Sequence, residues 1–371
     1  MKPYFLIWVS LILLTSESVH AQKTLTFNAA YTADFARNIK GGLEQNNAYL
    51  GNLDLTVSFD TENANWWKGG QFFAYILNNH GCSLSQYIGD IQGVDNIEAE
   101  ANTRLYQLWY QQNFRSFSFL IGQHDFNSEF SSTEFGSTLI NSSFGIQPDI
   151  SANVPVSIFP VATLGVILNL KLSDQLVVAT GLYDGDPGTQ EFNPNSLDPR
   201  LDPSEGLMSV VEFRFLNEIE TNLNTSLKIG AWFHTNDSDY GFYGILDQRI
   251  FNETEDKSQG LGIFTQIGIA PSKNSVVDYY YSFGIHYKGI FKERNDDNLV
   301  LAFGSVNILN DSWKNQNRFN IKNETVIEFS YQAKINKYFS IHPDLQYVIN
   351  PGTEGKINNA FVGILRLVLE Y

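Results

Sequence analysis

Apolar and polar residues alternate one by one along most of this chain, in runs of about ten residues. In the run 49–59 positions 53, 55, 57 and 59 are apolar, whereas positions 52, 54, 56 and 58 are all polar. Residues 361–371 repeat the pattern up to the terminal Tyr371. Successive side chains of a β-strand point to opposite faces, so this period predicts strands with one apolar and one polar face.

Counting such runs predicts sixteen strands. Their length suits a tilted strand that crosses a bilayer, whereas strands of soluble sandwiches are usually nearer five or six residues. The prediction is therefore an all-β chain, a sixteen-stranded antiparallel transmembrane β-barrel. The predicted strands are 25–36, 49–60, 70–80, 103–114, 116–126, 162–172, 175–184, 207–215, 226–235, 241–251, 261–270, 278–288, 298–307, 324–334, 339–349 and 360–371.

The links between the predicted strands alternate in length. Short links follow several even-numbered strands, and the longest links follow odd-numbered ones. This asymmetry is typical of outer-membrane barrels, whose even strand number closes the sheet and leaves no unpaired edge in lipid. The short links are 113–116, 173–174 and 335–338, and the longest are 81–102, 127–161 and 185–206.

The first residues of the chain predict where the protein is located in the cell. Residues 1–21 read as a signal peptide, with Lys2, a short apolar core over 5–14 and a V-x-A cleavage site that ends at Ala21. An apolar core of roughly ten residues is short of the roughly twenty that a spanning helix needs. We therefore predict that 22–371 is a single porin β-barrel domain in the outer membrane of a Gram-negative-type cell.

Composition excludes several classes of protein. The net charge is −16 and the pI about 4.7, which argues against electrostatic nucleic-acid binding. The single cysteine, Cys82, excludes an intramolecular disulfide framework and a multi-cysteine zinc site. Aromatic residues reach 14% of the chain, and many fall at the ends of predicted strands, which suits the interfacial girdles of a membrane barrel.

Several motifs, in order along the chain, resemble the carbohydrate-selective porins of the OprB family. The resemblance implies a sixteen-stranded outer-membrane barrel that admits monosaccharides and other small solutes by diffusion. It also implies that the 127–161 loop folds into the lumen and narrows it. The motifs that carry the resemblance are NLDL (52–55), RLYQLWYQQNF (104–114), GQHDFNSEF (122–130), NSSFG (141–145), GLYDGDP (181–187), ETVIE (324–328), PDLQYVINPG (343–352) and GILRL (363–367).

Two groups of residues are candidates for contact with a sugar in the channel. Asp125 and Glu129, at the start of the longest loop, are expected near the constriction. In the strand 103–114, strict alternation places Arg104, Tyr106 and Leu108 toward lipid, with Leu105, Gln107 and Trp109 toward the lumen. A charge facing lipid is tolerable only near the interface, so Arg104 is expected at a strand end with loose register, where it could line the constriction. The other candidates, all predicted to face the lumen, are Glu212, Arg214, Trp232 and Arg366.

Aromatic side chains such as Trp109 and Trp232 suit stacking on a sugar ring, and mixed polar groups suit neutral polyols. The expected partners are therefore small sugars and outer-membrane lipid, without nucleic acid and without a required cofactor. A homotrimer and a monomer remain open, as does Ca²⁺ binding by the Asp184–Asp202 loop. The alternatives are a porin of general or other selectivity, a barrel enzyme, and a secreted soluble β-protein. No credible nucleophile and base pair supports an enzyme.

Overall fold

The computed structural model describes residues 24–188, 193–217, 224–236, 238–253, 256–308 and 323–371. Sixteen antiparallel strands form a closed barrel in which each strand pairs with its neighbours in sequence and β1 pairs with β16. The predicted signal peptide, 1–21, lies outside the described residues. The start of β1 and the end of β16 lie at one end of the barrel, here called the terminal end, and the β3–β4 and β5–β6 loops lie at the opposite, loop end.

The predicted strand number is confirmed, and most strand limits agree within a few residues. The first strand is longer than predicted and the fifth is shorter. The strands are β1 Leu25–Gly42, β2 Asn47–Asp60, β3 Gly70–Gly81, β4 Asn102–Asn113, β5 Phe117–His124, β6 Thr163–Lys171, β7 Leu176–Asp184, β8 Leu207–Asn217, β9 Thr225–His234, β10 Asp239–Asn252, β11 Gly260–Ile269, β12 Val277–Lys288, β13 Asn298–Ile308, β14 Glu324–Asn336, β15 Phe339–Ile349 and β16 Asn358–Glu370.

The two faces of the sheet differ as the alternation predicts. Large apolar side chains such as Leu345 on β15 and Leu365 on β16 stay exposed on the outer face. Their neighbours Asp344 and Arg366 point inward, where Asp344 is buried. An apolar exterior around a polar interior is the arrangement of a barrel that is solvated by lipid outside and water inside. Among the described residues, no helix is long and apolar enough to cross a membrane.

A bulge in β4 changes the predicted phase of that strand. Tyr75 pairs with Gln107 and Ile76 pairs with Leu105, so Tyr106 is an extra residue between them. A bulge of this kind moves the preceding residues to the opposite face. The prediction that Arg104 and Tyr106 face lipid is therefore wrong, because both are buried inside. Leu105 faces outward instead of inward, as the partner of the exposed Ile76.

Two loops at the loop end fold into the barrel. The β3–β4 loop (82–101) carries α1 Ser85–Ile88, and the β5–β6 loop (125–162) carries α2 Ser142–Gly145 and α3 Pro148–Ser151. The first buries Ile88 and Val94 in one core with Phe144 of the second and with inward side chains of the wall. The second also packs Phe130 and Ile150 on the opposite wall. The lumen is thus partly filled by chain, and the open passage is narrower than the sheet alone would leave.

Candidate channel constriction

The β5–β6 loop is held across the lumen by carboxylates of the wall. Glu212 on β8 accepts the backbone N–H of Ser131 at 3.0 Å. Asp247 on β10 accepts the Thr133 hydroxyl at 2.6 Å and the N–H of Phe135 at 3.1 Å. A strand carboxylate that meets successive loop amides satisfies donors that the irregular backbone leaves free. The loop therefore follows the inner wall away from β5 instead of standing above the barrel.

Three of the predicted site residues meet in one cluster on this wall. Arg214 Nε donates to Glu212 Oε1 at 2.6 Å, and an Arg214 terminal nitrogen donates to the Glu129 carbonyl at 2.6 Å. The Glu129 carboxylate lies 3.4 Å from the same guanidinium and is partly exposed. Glu212 is 0% exposed and also accepts the hydroxyl of Tyr243 at 2.7 Å. The cluster thus presents Glu129 and Arg214 toward the lumen and keeps Glu212 behind them.

The β3–β4 loop is held by a second charged cluster. Arg366 on β16 donates to Asp34 on β1 at 2.7 Å, to Asp95 at 3.2 Å and to Asn96 at 2.7 Å. Asp34 and Asp95 are fully buried. One guanidinium therefore joins the first strand, the last strand and the inserted loop, so Arg366 supports the constriction from the wall.

An aromatic pair lines the inner face of β3 and β4. Phe73 and Trp109 stack with ring centroids 4.7 Å apart and an interplanar angle of 21°, and both are partly exposed. Trp109 Nε1 donates to Gln107 Oε1 at 3.1 Å, which holds the indole flat against the strand. Leu108, between them, is 52% exposed on the outer face. The structure thus places Gln107 and Trp109 toward the lumen, as the sequence predicts.

Two carboxyl groups of the β5–β6 loop are unusual because of their burial. Asp125 accepts the Asn127 N–H at 3.1 Å at the start of a short 3₁₀ turn, and burial raises the pKa of its carboxyl to about 7. Asp149, at the start of α3, is 0% exposed and packs over Gly268 of β11. Burial raises the pKa of Asp149 to about 7 as well. In both groups burial disfavours the charged carboxylate.

Two other candidates are buried more deeply than the sequence predicts. Arg104 is 1% exposed and donates to the carbonyls of Glu100 and Pro160, at the roots of the two loops. Trp232 is 2% exposed, because the β5–β6 loop covers it with Phe130 and Ile150. Neither side chain is open to a solute in this conformation. The alternation predicts the face on which a residue lies, but it gives no sign that a loop will cover that face.

Sequence reasoning missed several residues that hold the loops. Asp247, Glu324 and Gln346 face inward and bind loop backbone, with Glu324 accepting the N–H groups of Gln92 and Gly352 at 3.0 and 2.7 Å. A carboxylate or amide at an inward position of a strand is the only signal for them in the sequence. The same signal is expected for a polar side chain that faces water on the channel wall, so it does not identify a residue that binds a loop.

The loop end of the barrel also carries an acidic cavity of about 350 Å³. It is lined by Gln123, Thr163 and residues within 186–188 and 193–205, among which Arg200 pairs with Asp198. This is the loop in which the sequence left Ca²⁺ binding open. Within the described ranges, no group of three or more His, Cys, Asp or Glu is arranged to hold a metal ion.

A closed sixteen-stranded barrel with an apolar exterior, and with a polar lumen narrowed by inserted loops, defines a porin. Comparison with known proteins agrees. A family model described as carbohydrate-selective porin, OprB family, matches residues 44–240 and 236–371. The chain therefore belongs to the OprB family of carbohydrate-selective porins, and it is a channel rather than an enzyme.

Individual relatives are distant in sequence and similar in fold. Porin B of Pseudomonas aeruginosa is 23% identical over 405 residues, which cover 93% of this chain and 87% of that protein. A putative porin, QuiX, of Acinetobacter baylyi is 21% identical, with 93% and 89% covered. The high-pH structure of Pseudomonas putida OprB superposes with a TM-score of 0.84 at 18% identity and covers 94% of each chain.

Proposed function

We propose that this porin spans the outer membrane with its loop end outward and admits neutral, monosaccharide-sized sugars by passive diffusion. The observation that carries the proposal is the partly exposed Phe73–Trp109 stack on the lumen wall. The apolar face of a pyranose ring packs on such an aromatic surface, while its hydroxyl groups bond to the polar groups around it. Contacts of this kind are weak enough for release, which a diffusion channel requires.

Polar groups beside the stack and on the β5–β6 loop supply the hydrogen bonds. Gln107 lies beside Trp109, and Glu129 with Arg214 offers an acceptor and a donor at the start of the β5–β6 loop. Asp125 is a further acceptor at that loop's root. We therefore assign solute contact to Trp109, Asp125, Glu129 and Arg214. Arg104, Glu212, Trp232 and Arg366, which lie under or beside the loops, are assigned to support of the constriction.

The charge of the loop end favours neutral over anionic solutes. The cavity there includes Asp186, Asp198, Asp202 and Glu205, with Arg200 as the cation among its described lining residues. An acidic mouth repels anions over about one Debye length, roughly 8 Å at physiological salt. Selectivity against sugar acids should therefore weaken as salt rises, whereas selectivity based on stacking should not.

Ion current through single channels tests the proposal. A sugar that pauses on the Phe73–Trp109 stack blocks the current briefly, so glucose should add current noise to the wild-type channel in a planar bilayer. An uncharged amino acid of similar size should add little. Equal noise from both solutes would contradict a sugar-binding constriction and would favour a general porin.

A further inference from the structure

We propose that Glu328 on β14 and Gln346 on β15 are positioning residues that set the largest solute the channel passes. Both are fully buried, so neither contacts the solute. They act through the joint at which the β3–β4 and β5–β6 loops meet. The inference rests on the proposed function, because it concerns the size limit of the same channel.

Glu328 binds the farthest part of the β5–β6 loop. Its Oε1 accepts the backbone N–H of Ile140 at 2.6 Å, and its Oε2 accepts the N–H of Asn141 at 3.1 Å. Both carboxylate oxygens are thus used by consecutive amides of a loop that starts on β5, far around the barrel. Two hydrogen bonds from consecutive amides to one buried side chain fix both the position and the direction of the loop backbone there.

Gln346 binds both loops with one side-chain amide. Its Oε1 accepts Asn141 Nδ2 at 3.1 Å, and its Nε2 donates to the Val94 carbonyl at 2.8 Å. Asn141 belongs to the β5–β6 loop and Val94 to the β3–β4 loop. Glu328 and Gln346 are also cross-strand partners, so the two anchors lie side by side on the wall.

The loops are bonded directly to each other just above these anchors. The N–H of Ser142 donates to the Gly93 carbonyl at 2.8 Å, and the N–H of Asn96 donates to the Ile140 carbonyl at 2.9 Å. Glu328 and Gln346 therefore hold a joint, not two separate loops. The joined loops narrow the lumen. Their position there is fixed only while Glu328 of β14 and Gln346 of β15 are bonded to them.

Loss of either anchor should loosen that edge. Glu328→Gln keeps the shape of the side chain but turns an NH₂ group toward a backbone N–H, so one bond is lost and two donors face each other. A buried N–H without a partner is unfavourable, and that cost is relieved if the loop leaves the wall and its amides meet water. A loop that fluctuates in this way no longer defines a sharp aperture.

The experiment measures liposome swelling with the purified full-length protein, using a monosaccharide and a disaccharide at equal osmolarity. The variants are Glu328→Gln and Gln346→Ala. The matched control is Glu44→Gln, which makes the same substitution at an exposed position in the β1–β2 turn. Heat-modifiable gel mobility checks that each variant forms a closed barrel. Gln346→Ala keeps the test possible if Glu328→Gln does not fold.

We expect the ratio of disaccharide to monosaccharide swelling rates to rise several-fold in both anchor variants and to stay at the wild-type value in Glu44→Gln. A ratio in the folded anchor variants that equals or falls below that of the wild type would overturn the inference. A wild-type protein that passes no sugar would refute the proposed function instead. The two failures are therefore distinguishable.

Discussion

Arg366 on the last strand and Asp34 on the first form a two-bond ion pair across the seam that closes the barrel. Nε lies 2.9 Å from Asp34 Oδ1, and a terminal nitrogen lies 2.7 Å from Oδ2. The same guanidinium reaches Asp95 of the β3–β4 loop. One side chain therefore links the two strands of the closing seam to one constriction loop.

Replacing Arg366 should destabilise the protein strongly. Arg366→Met leaves Asp34 and Asp95 buried without their cation, which costs about 3–5 kcal/mol. Urea unfolding in lipid vesicles measures the loss. The control is Arg200→Met, because its ion pair with Asp198 is largely exposed, and solvent screening leaves such a pair little effect on stability. Equal stability of the two variants would show that the seam does not need the pair.

Removing the indole of Trp109 should reduce the preference for sugars. Trp109→Ala takes away half of the stacked surface but leaves the barrel wall intact, because the side chain is only partly buried. Glucose swelling should slow relative to that of an uncharged amino acid. Trp66→Ala, at an exposed position in the β2–β3 turn, is the matched control and should keep the wild-type ratio. A wild-type ratio in Trp109→Ala would remove the stack from the selectivity mechanism.

Loop seating should weaken as pH rises. Burial raises the pKa of Asp149 from its usual 3.8 to about 7, so the seated loop retains a proton that the released loop loses. The stabilisation is complete below about pH 4 and is lost as pH rises to about 7. Protease cleavage of the β5–β6 loop in intact barrels should therefore be faster at pH 7.5 than at pH 5.

Replacing the carboxyl of Asp149 by an amide should reduce the pH dependence of protease cleavage. Asp149→Asn cannot ionise, so at pH 7.5 its loop should be cleaved more slowly than that of the wild type, while at pH 5 the two should be similar. The variant should keep part of the pH dependence of cleavage, because burial also raises the pKa of Asp125 to about 7. Equal cleavage of wild type and variant at pH 7.5 would show that Asp149 does not control seating.

The charge of Glu129 should affect sugar acids more than sugars. Its carboxylate is partly exposed beside Arg214, so Glu129→Gln leaves the guanidinium less compensated at the lumen. Swelling with an anionic sugar acid should speed up relative to glucose, and the gain should shrink at high salt because the site is solvated. Asp198→Asn, at the rim, controls for loss of charge outside the cluster. An equal gain in the sugar-acid swelling rate of both variants would show that the overall charge at the loop end, and not Glu129 itself, excludes the anion.

The strands of this protein were predictable from its sequence because a barrel imposes one period on the whole chain. Leu345 on β15 and Leu365 on β16 face outward at positions that alternation alone predicts. The phase of β4 was not predictable, since the bulge at Tyr106 leaves no mark in the pattern. It reverses the faces of Arg104 and Leu105, which alternation places on the wrong sides.

The constriction was predictable only in part. Alternation correctly places Glu328 and Trp232 inside, but a polar or aromatic residue on an inner wall has the same sequence pattern whether it meets water or a loop. Trp232 is covered by the β5–β6 loop, and Glu328 binds that loop's amides. Such long-range contacts depend on where the loop goes, which local sequence does not encode.

Liposome swelling with the wild-type protein tests the central claim most directly. The solutes are glucose, a disaccharide, an uncharged amino acid and an anionic sugar acid at equal osmolarity. Fast swelling with glucose and much slower swelling with the other three is the result that a sugar-selective constriction predicts. Rates that are ordered only by solute size, with no advantage for glucose over the amino acid, would contradict it.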